Sequence, residues 1–173
     1  MMASPADTVE LSEATAIRRV ALELAPEAED FGFFRPLFSY WADRCRGRGL
    51  PSRADIDPVD LPAFLLPHLL LIDIAHDPLD FRYRLAGTAA DHIHGMRLKG
   101  VRVLDLKPEP FARFLHDDLV RMARDLKPQY LRHGFTNQQS MTRRFRVLRL
   151  PLSDDGDRLD MVLVLAEFGA LSR

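Results

Sequence analysis

Three segments of the chain are apolar on both of their alternate faces. In HLLLIDI at 68–74, Leu70 and Ile72 oppose Leu69 and Leu71; in FRVLRLPL at 145–152, Leu148 and Leu150 oppose Phe145 and Val147; in MVLVLA at 161–166, Val162 and Val164 oppose Leu163 and Leu165. Side chains alternate across a β-strand, so a strand with one wet face reads apolar-polar-apolar, and a run that does not must be covered on both sides. The fold therefore needs a central sheet held between two other layers. FRYRL at 81–85 differs: Phe81, Tyr83 and Leu85 point one way and Arg82 and Arg84 the other, which suits an edge strand that resists further pairing. Gln129–Phe135 adds a further strand, and SDDGD at 153–157 supplies Asp and Gly for a hairpin turn between the last two.

Helical segments must supply the layers. Thr88–His94 and Pro110–Leu126 lie between the second and third of these strands and can cover one face. For the other face the nearest supply is a helix near the N-terminus. Pro36 sits where a first turn tolerates it, Leu37, Tyr40, Trp41 and Cys45 share a side, and Gly47 and Gly49 end the run. A second subunit is the alternative cover. Ahead of this, Ser12 can cap a helix carrying Ile17, Val20, Ala21 and Leu24 at helical spacing and stopping before Pro26. Residues 50–67 hold four prolines and read as a shaped connector.

A chain of 173 residues buries enough surface to stand without a disulfide or metal staple. Its one cysteine cannot form an internal bridge, the N-terminus lacks the basic-then-apolar pattern of a signal peptide, and no run approaches the roughly 18 apolar residues of a membrane span. A cytoplasmic protein is expected. The net charge of −1, from 24 basic and 25 acidic residues, gives nothing that steers the whole chain toward nucleic acid or anionic lipid. The arginines at 82 and 84 and at 143, 144, 146 and 149 read as solvated sheet surface.

Three ordered stretches, PSRADIDPVDLPAFLLPHLLLIDI, FRYRLAGTAADHIHG with Gly100 following, and PLSDDGDRLDMVLV, resemble the motifs of a PAS-like family of small, often stand-alone proteins found mainly in alphaproteobacteria. The resemblance covers roughly residues 33–168. It implies an α+β fold: a five-stranded antiparallel sheet in which the first strand lies between the second and the fifth, with helices on one face and the N-terminal helices on the other or at a dimer interface. Residues 1–32 form a helical extension in this reading and 33–173 the PAS-like domain. PAS domains bind small ligands or pair with other proteins and pass a conformational change onward. The resemblance thus implies a sensory or regulatory module, not an enzyme. With no recognisable output sequence following, its signal is expected to leave through signalling proteins. A ligand-free interaction adaptor is the competing reading.

Chemical candidates are few. His92 and His94 stand two apart, which on a helix places them on different faces and prevents chelation of one ion. No metal is expected, and a hydrolase built on Asp91, His92 and His94 ranks last. The resemblance implies that His94 points inward and His92 outward. His116 lies at the flank of the stripe formed by Phe111, Leu115, Leu119, Met122 and Leu126, so it is poorly placed to ligate haem; Cys45 sits in the N-terminal helix, away from any flavin site. No cofactor is expected. Asp118 falls close to the stripe, as a boundary carboxylate bonded to an arginine or as a ligand-recognising group; the former is preferred. Arg146 shares a strand face with Leu148 and Leu150, and either grips an anionic ligand or reaches past the sheet to solvent. No GxSxG, HExxH or glycine-rich phosphate loop is present. The expected ligand pocket is Tyr83, His94, Phe114, Leu115, Asp118 and Arg146. The expected interaction helices carry Ile17, Val20, Leu24, Leu37, Tyr40 and Trp41, with homodimerisation through these N-terminal helices.

Overall fold

A computed structural model describes residues 10–45, 47 and 49–173. Six strands form one antiparallel sheet in the order β1-β4-β5-β6-β2-β3: β1 is Ala16–Ala21, β2 Leu69–Ala75, β3 Asp80–Ala86, β4 Gln129–Thr136, β5 Thr142–Leu152 and β6 Met161–Ser172. The two-sided apolar segments are β2, β5 and β6, and all three are interior. β2 lies between β3 and β6, and β3 is an edge.

The sheet is the centre of three layers. Its inner face packs on α2 (Thr88–His94) and α3 (Glu109–Asp125), which bury Ile93, Phe111, Leu115, Leu119 and Met122 against Leu70, Ile72, Val147 and Val164. Its outer face receives α1 (Arg35–Arg44) and the proline-rich connector, which folds as short 3-10 turns. Phe31, Phe34, Leu37, Trp41, Ile56 and Leu65 meet Leu69, Leu71, Leu148, Leu150, Leu163 and Leu165 there. Full burial of each such side chain contributes about 1.5–3 kcal/mol, so neither layer is dispensable. Trp41 adds direction, because its Nε1 donates to the Pro151 carbonyl at 3.0 Å. The outer cover is therefore α1, as its apolar stripe suggests, and Tyr40 at its margin donates to the Asp60 carboxylate at 2.9 Å.

The N-terminal segment departs from the expectation. Residues 16–21 are not a helix but β1, one strand beyond the expected five, paired with β4 in the register Ile17↔Phe135, Arg19↔His133 and Ala21↔Leu131. Isolated helices of this length are marginal in water, and the free edge of β4 offers backbone partners that a helix would leave unused. Pairing also turns Ile17 toward the inner core and lets Arg19 reach a carboxylate on α3, while Val20 faces out. Leu24 lies beyond the strand and packs on the outer-face cluster. Ile17, Val20 and Leu24 thus form no helical stripe, and the segment is part of the domain core: Leu11 is fully buried. Residues 1–9 of the expected extension lie outside the described residues.

Two glycines set the geometry around α2. A Cβ at Gly87 would come within 2.1 Å of the Pro67 carbonyl oxygen, so only glycine lets the β3–α2 turn pass beneath the connector. Gly95 ends α2 in the left-handed region at φ 67°, its N–H capping the Asp91 and His92 carbonyls. No helix in the described residues is long and apolar enough to cross a membrane.

Candidate functional site

Between the inner sheet face and the two inner helices lies a cavity of about 30 Å³. Its walls are apolar for the most part: Leu70 and Ile72 from β2, Phe111 and Leu115 from α3, Phe145 and Val147 from β5, Val164 and Ala166 from β6. Four polar groups also line it, each from a different element: Tyr83 on β3, His94 at the end of α2, His133 on β4 and Arg149 on β5. Every lining residue is buried except Phe168, which is half-buried and marks the side nearest solvent.

His133 is the most unusual member. It is 1 % exposed, its ring lies between those of Phe111 and Phe145 at 5.2 and 5.0 Å, and neither ring nitrogen has a hydrogen-bond partner. Burial, with the Arg149 cation adding to it, pushes its pKa down to about 3. The imidazole is therefore neutral at physiological pH and offers one donor and one acceptor. His94 is buried too, its pKa lowered to about 4 by burial, with its ring 5.4 Å from that of Phe111. The Tyr83 hydroxyl, raised in pKa by burial, makes no hydrogen bond to another described residue.

Behind the cavity is a buried charge cluster. Asp118 accepts from Arg149 Nη1 at 2.8 Å and from Arg19 Nε at 2.9 Å, with a second, closer contact from Arg19 Nη2. Arg149 Nη1 also donates to Gln129, whose amide donates to the Asp118 carbonyl. Burial alone would raise the Asp118 pKa, but the Arg149 and Arg19 cations overcome it and hold the carboxyl below its ordinary range. Two cations on one carboxylate leave the cluster with a net positive charge at the cavity wall.

The structure brings Tyr83, His94 and Leu115 together at the cavity, with Asp118 one hydrogen bond behind Arg149. Phe114 and Arg146 lie elsewhere. Phe114 falls outside the buried stripe of α3 and borders a surface hollow with Glu109, Pro110 and Arg113. Arg146 faces the outer layer with Leu148 and Leu150; there it pairs with Glu167 and donates to the Tyr130 hydroxyl and the Asp30 carbonyl. Arg149, read from sequence as solvated, is 2 % exposed instead. It shares the phase of Phe145 and Val147, one residue out of step with Arg146, and nothing within the strand itself says which phase meets α3. His133 was not singled out, although its position between Leu131 and Phe135, all two apart, places it on a buried face.

The other candidates do not converge. His92 is exposed while His94 is buried, and the Asp91 carboxylate accepts from the Leu98 N–H at 3.0 Å. Among the described residues no group of three His, Cys, Asp or Glu side chains is arranged to hold a metal ion. His116 packs on Phe81 with ring centroids 5.4 Å apart, and the Cys45 thiol donates to the Trp41 carbonyl at 3.4 Å on the outer side of the sheet; neither lines the cavity.

No curated protein matches this sequence significantly. A family model for the PAS domain does, over residues 34–166, a span that includes the sheet strands from β2 through the first half of β6, all three helices and every cavity-lining residue except Phe168. The chain belongs to the PAS domain family.

Proposed function

We propose that the protein is a small-molecule sensor, a regulatory module without catalytic activity that reports to protein partners. The observation that carries this reading is His133. A buried polar group left without a partner costs about 1–3 kcal/mol, and nearly all such groups in folded proteins are paired. A ligand that accepts from one imidazole nitrogen and donates to the other removes that cost. The Tyr83 hydroxyl and the positive charge cluster stand beside it, so the ligand that fits has an apolar body and a polar or anionic head. With His116 and Cys45 elsewhere, the reading does not call for haem or a flavin.

The cavity volume of about 30 Å³ favours the second reading, a filled core that serves as an adaptor, because that space holds about one water. Under the sensor reading, a larger ligand must displace part of the lining, and the half-buried Phe168 is where it would enter. Thermal-shift screening of wild type and His133→Phe against a panel of small carboxylic acids, alcohols and amides separates the two readings. A compound at about a hundred times its Kd stabilises by about 2.7 kcal/mol. The sensor reading expects such a shift in wild type and its loss in the variant. No stabilising compound, or equal shifts in both proteins, favours the adaptor.

A further inference from the structure

The outer face of the sheet is only half covered. Where α1 and the connector end, β1, β4 and β5 expose a hollow of about 420 Å³ lined by Arg18 and Val20, Arg132 and Gly134, and Thr142 and Arg144. The register places Arg18, Gly134 and Arg144 on one row across three strands, with Arg132 two residues along β4. Neighbouring strands lie about 4.8 Å apart, so Arg18 and Arg144 face each other across roughly 10 Å of bare backbone at Gly134. None of these three arginines makes an ion pair or hydrogen bond with a described residue. The carboxylate on the adjoining row, Glu167, is already held by Arg146.

We propose that this hollow docks an acidic segment of a partner protein. Three unpaired guanidiniums around an open floor form a bidentate-capable receptor for carboxylates. A second copy does not fit, because a two-fold interface sets the same patch against itself and here would juxtapose like charges. Nucleic acid is disfavoured as well: no aromatic side chain lines the hollow to stack a base, and the chain as a whole carries a charge of −1. The hollow lies back to back with the cavity. On β4, Arg132 and Gly134 face it while His133 between them points inward, yet docking here does not depend on a ligand being bound there.

The test uses fluorescence anisotropy with three labelled probes at low salt: an alternating Glu-Ser dodecapeptide, the matching Gln-Ser peptide and a dodecameric oligothymidine. Arg18→Glu/Arg132→Glu/Arg144→Glu reverses the charge, and Gly134→Leu fills the floor with the arginines intact. Thermal midpoints confirm folding, since exposed substitutions of this kind leave stability little changed, and Arg144→Gln alone serves if the triple variant fails to fold. The Glu-Ser peptide is expected to bind wild type, about tenfold more weakly to the charge variant and more weakly to Gly134→Leu, with no binding of the Gln-Ser peptide. Tighter binding of the oligothymidine, equal binding of the Glu-Ser peptide to wild type and the charge variant, or a solution dimer that the charge variant abolishes would overturn the proposal.

Discussion

The two buried histidines make stability depend on pH in a way that can be worked out. Each titrates lower in the folded protein than its ordinary 6.5, at about 4 for His94 and about 3 for His133. As the pH falls through 6.5 the unfolded chain takes up both protons while the folded protein does not, so stability is complete above that value and drains away below it. At pH 5 each site has lost about 2 kcal/mol relative to pH 7.5, and the pair about 4 kcal/mol, from about 1.4 kcal/mol per pH unit. Carboxylates with lowered values, Asp80, Asp118 and Asp155, act only below about pH 4 and leave this window clean. His133→Phe should halve the loss. In the ligand-free protein it should also stabilise by about 1–3 kcal/mol at pH 7.5, because two unpaired nitrogens disappear and the ring remains between Phe111 and Phe145. Urea unfolding at pH 7.5 and 5.0 reads this through the fluorescence of Trp41, the single tryptophan, which lies in the outer layer away from the substitution. Stability that is level between the two pH values, or a variant that is weaker with an unchanged acid loss, would refute the account of His133 as a buried, neutral and unpartnered ring.

Two further substitutions test the scaffold. Asp118→Asn strips the buried Arg149 of its counter-charge and should cost about 3–5 kcal/mol in urea unfolding; a cost near zero would mean that the cluster is hydrated in solution. Gly87→Ala forces a Cβ against the Pro67 carbonyl and should cost about 1–3 kcal/mol, whereas Gly134→Ala, which meets only the Arg144 Cγ at 3.8 Å, should be close to neutral. Equal effects at the two glycines would contradict the close approach at the β3–α2 turn.

The layering of this domain is legible in β2, β5 and β6, because a strand apolar on both sides cannot lie at a wet face. The inward direction of His94 comes from the family resemblance and not from any local pattern, whereas an arginine bond for Asp118 is legible, although with two partners and deeper in the core than a boundary position. What could not be read are choices made by tertiary contact. Ile17, Val20, Ala21 and Leu24 satisfy a helical period, yet Ile17, Arg19 and Ala21 equally satisfy a strand, and the edge of β4 together with Asp118 decides between them. Arg146 and Arg149 occupy opposite phases of a strand that is apolar in both, and only the position of α3 tells which of them is buried. The cavity itself depends on His133, whose missing partners are a property of three dimensions.

Native mass spectrometry of wild type and His133→Phe, each isolated gently from the cells in which the protein is naturally made, tests the sensing claim most directly. The expected result is a noncovalent mass excess on wild type that matches a small organic molecule and is absent from the variant. Bare polypeptide mass for both proteins, or the same excess on both, would contradict a ligand held at His133.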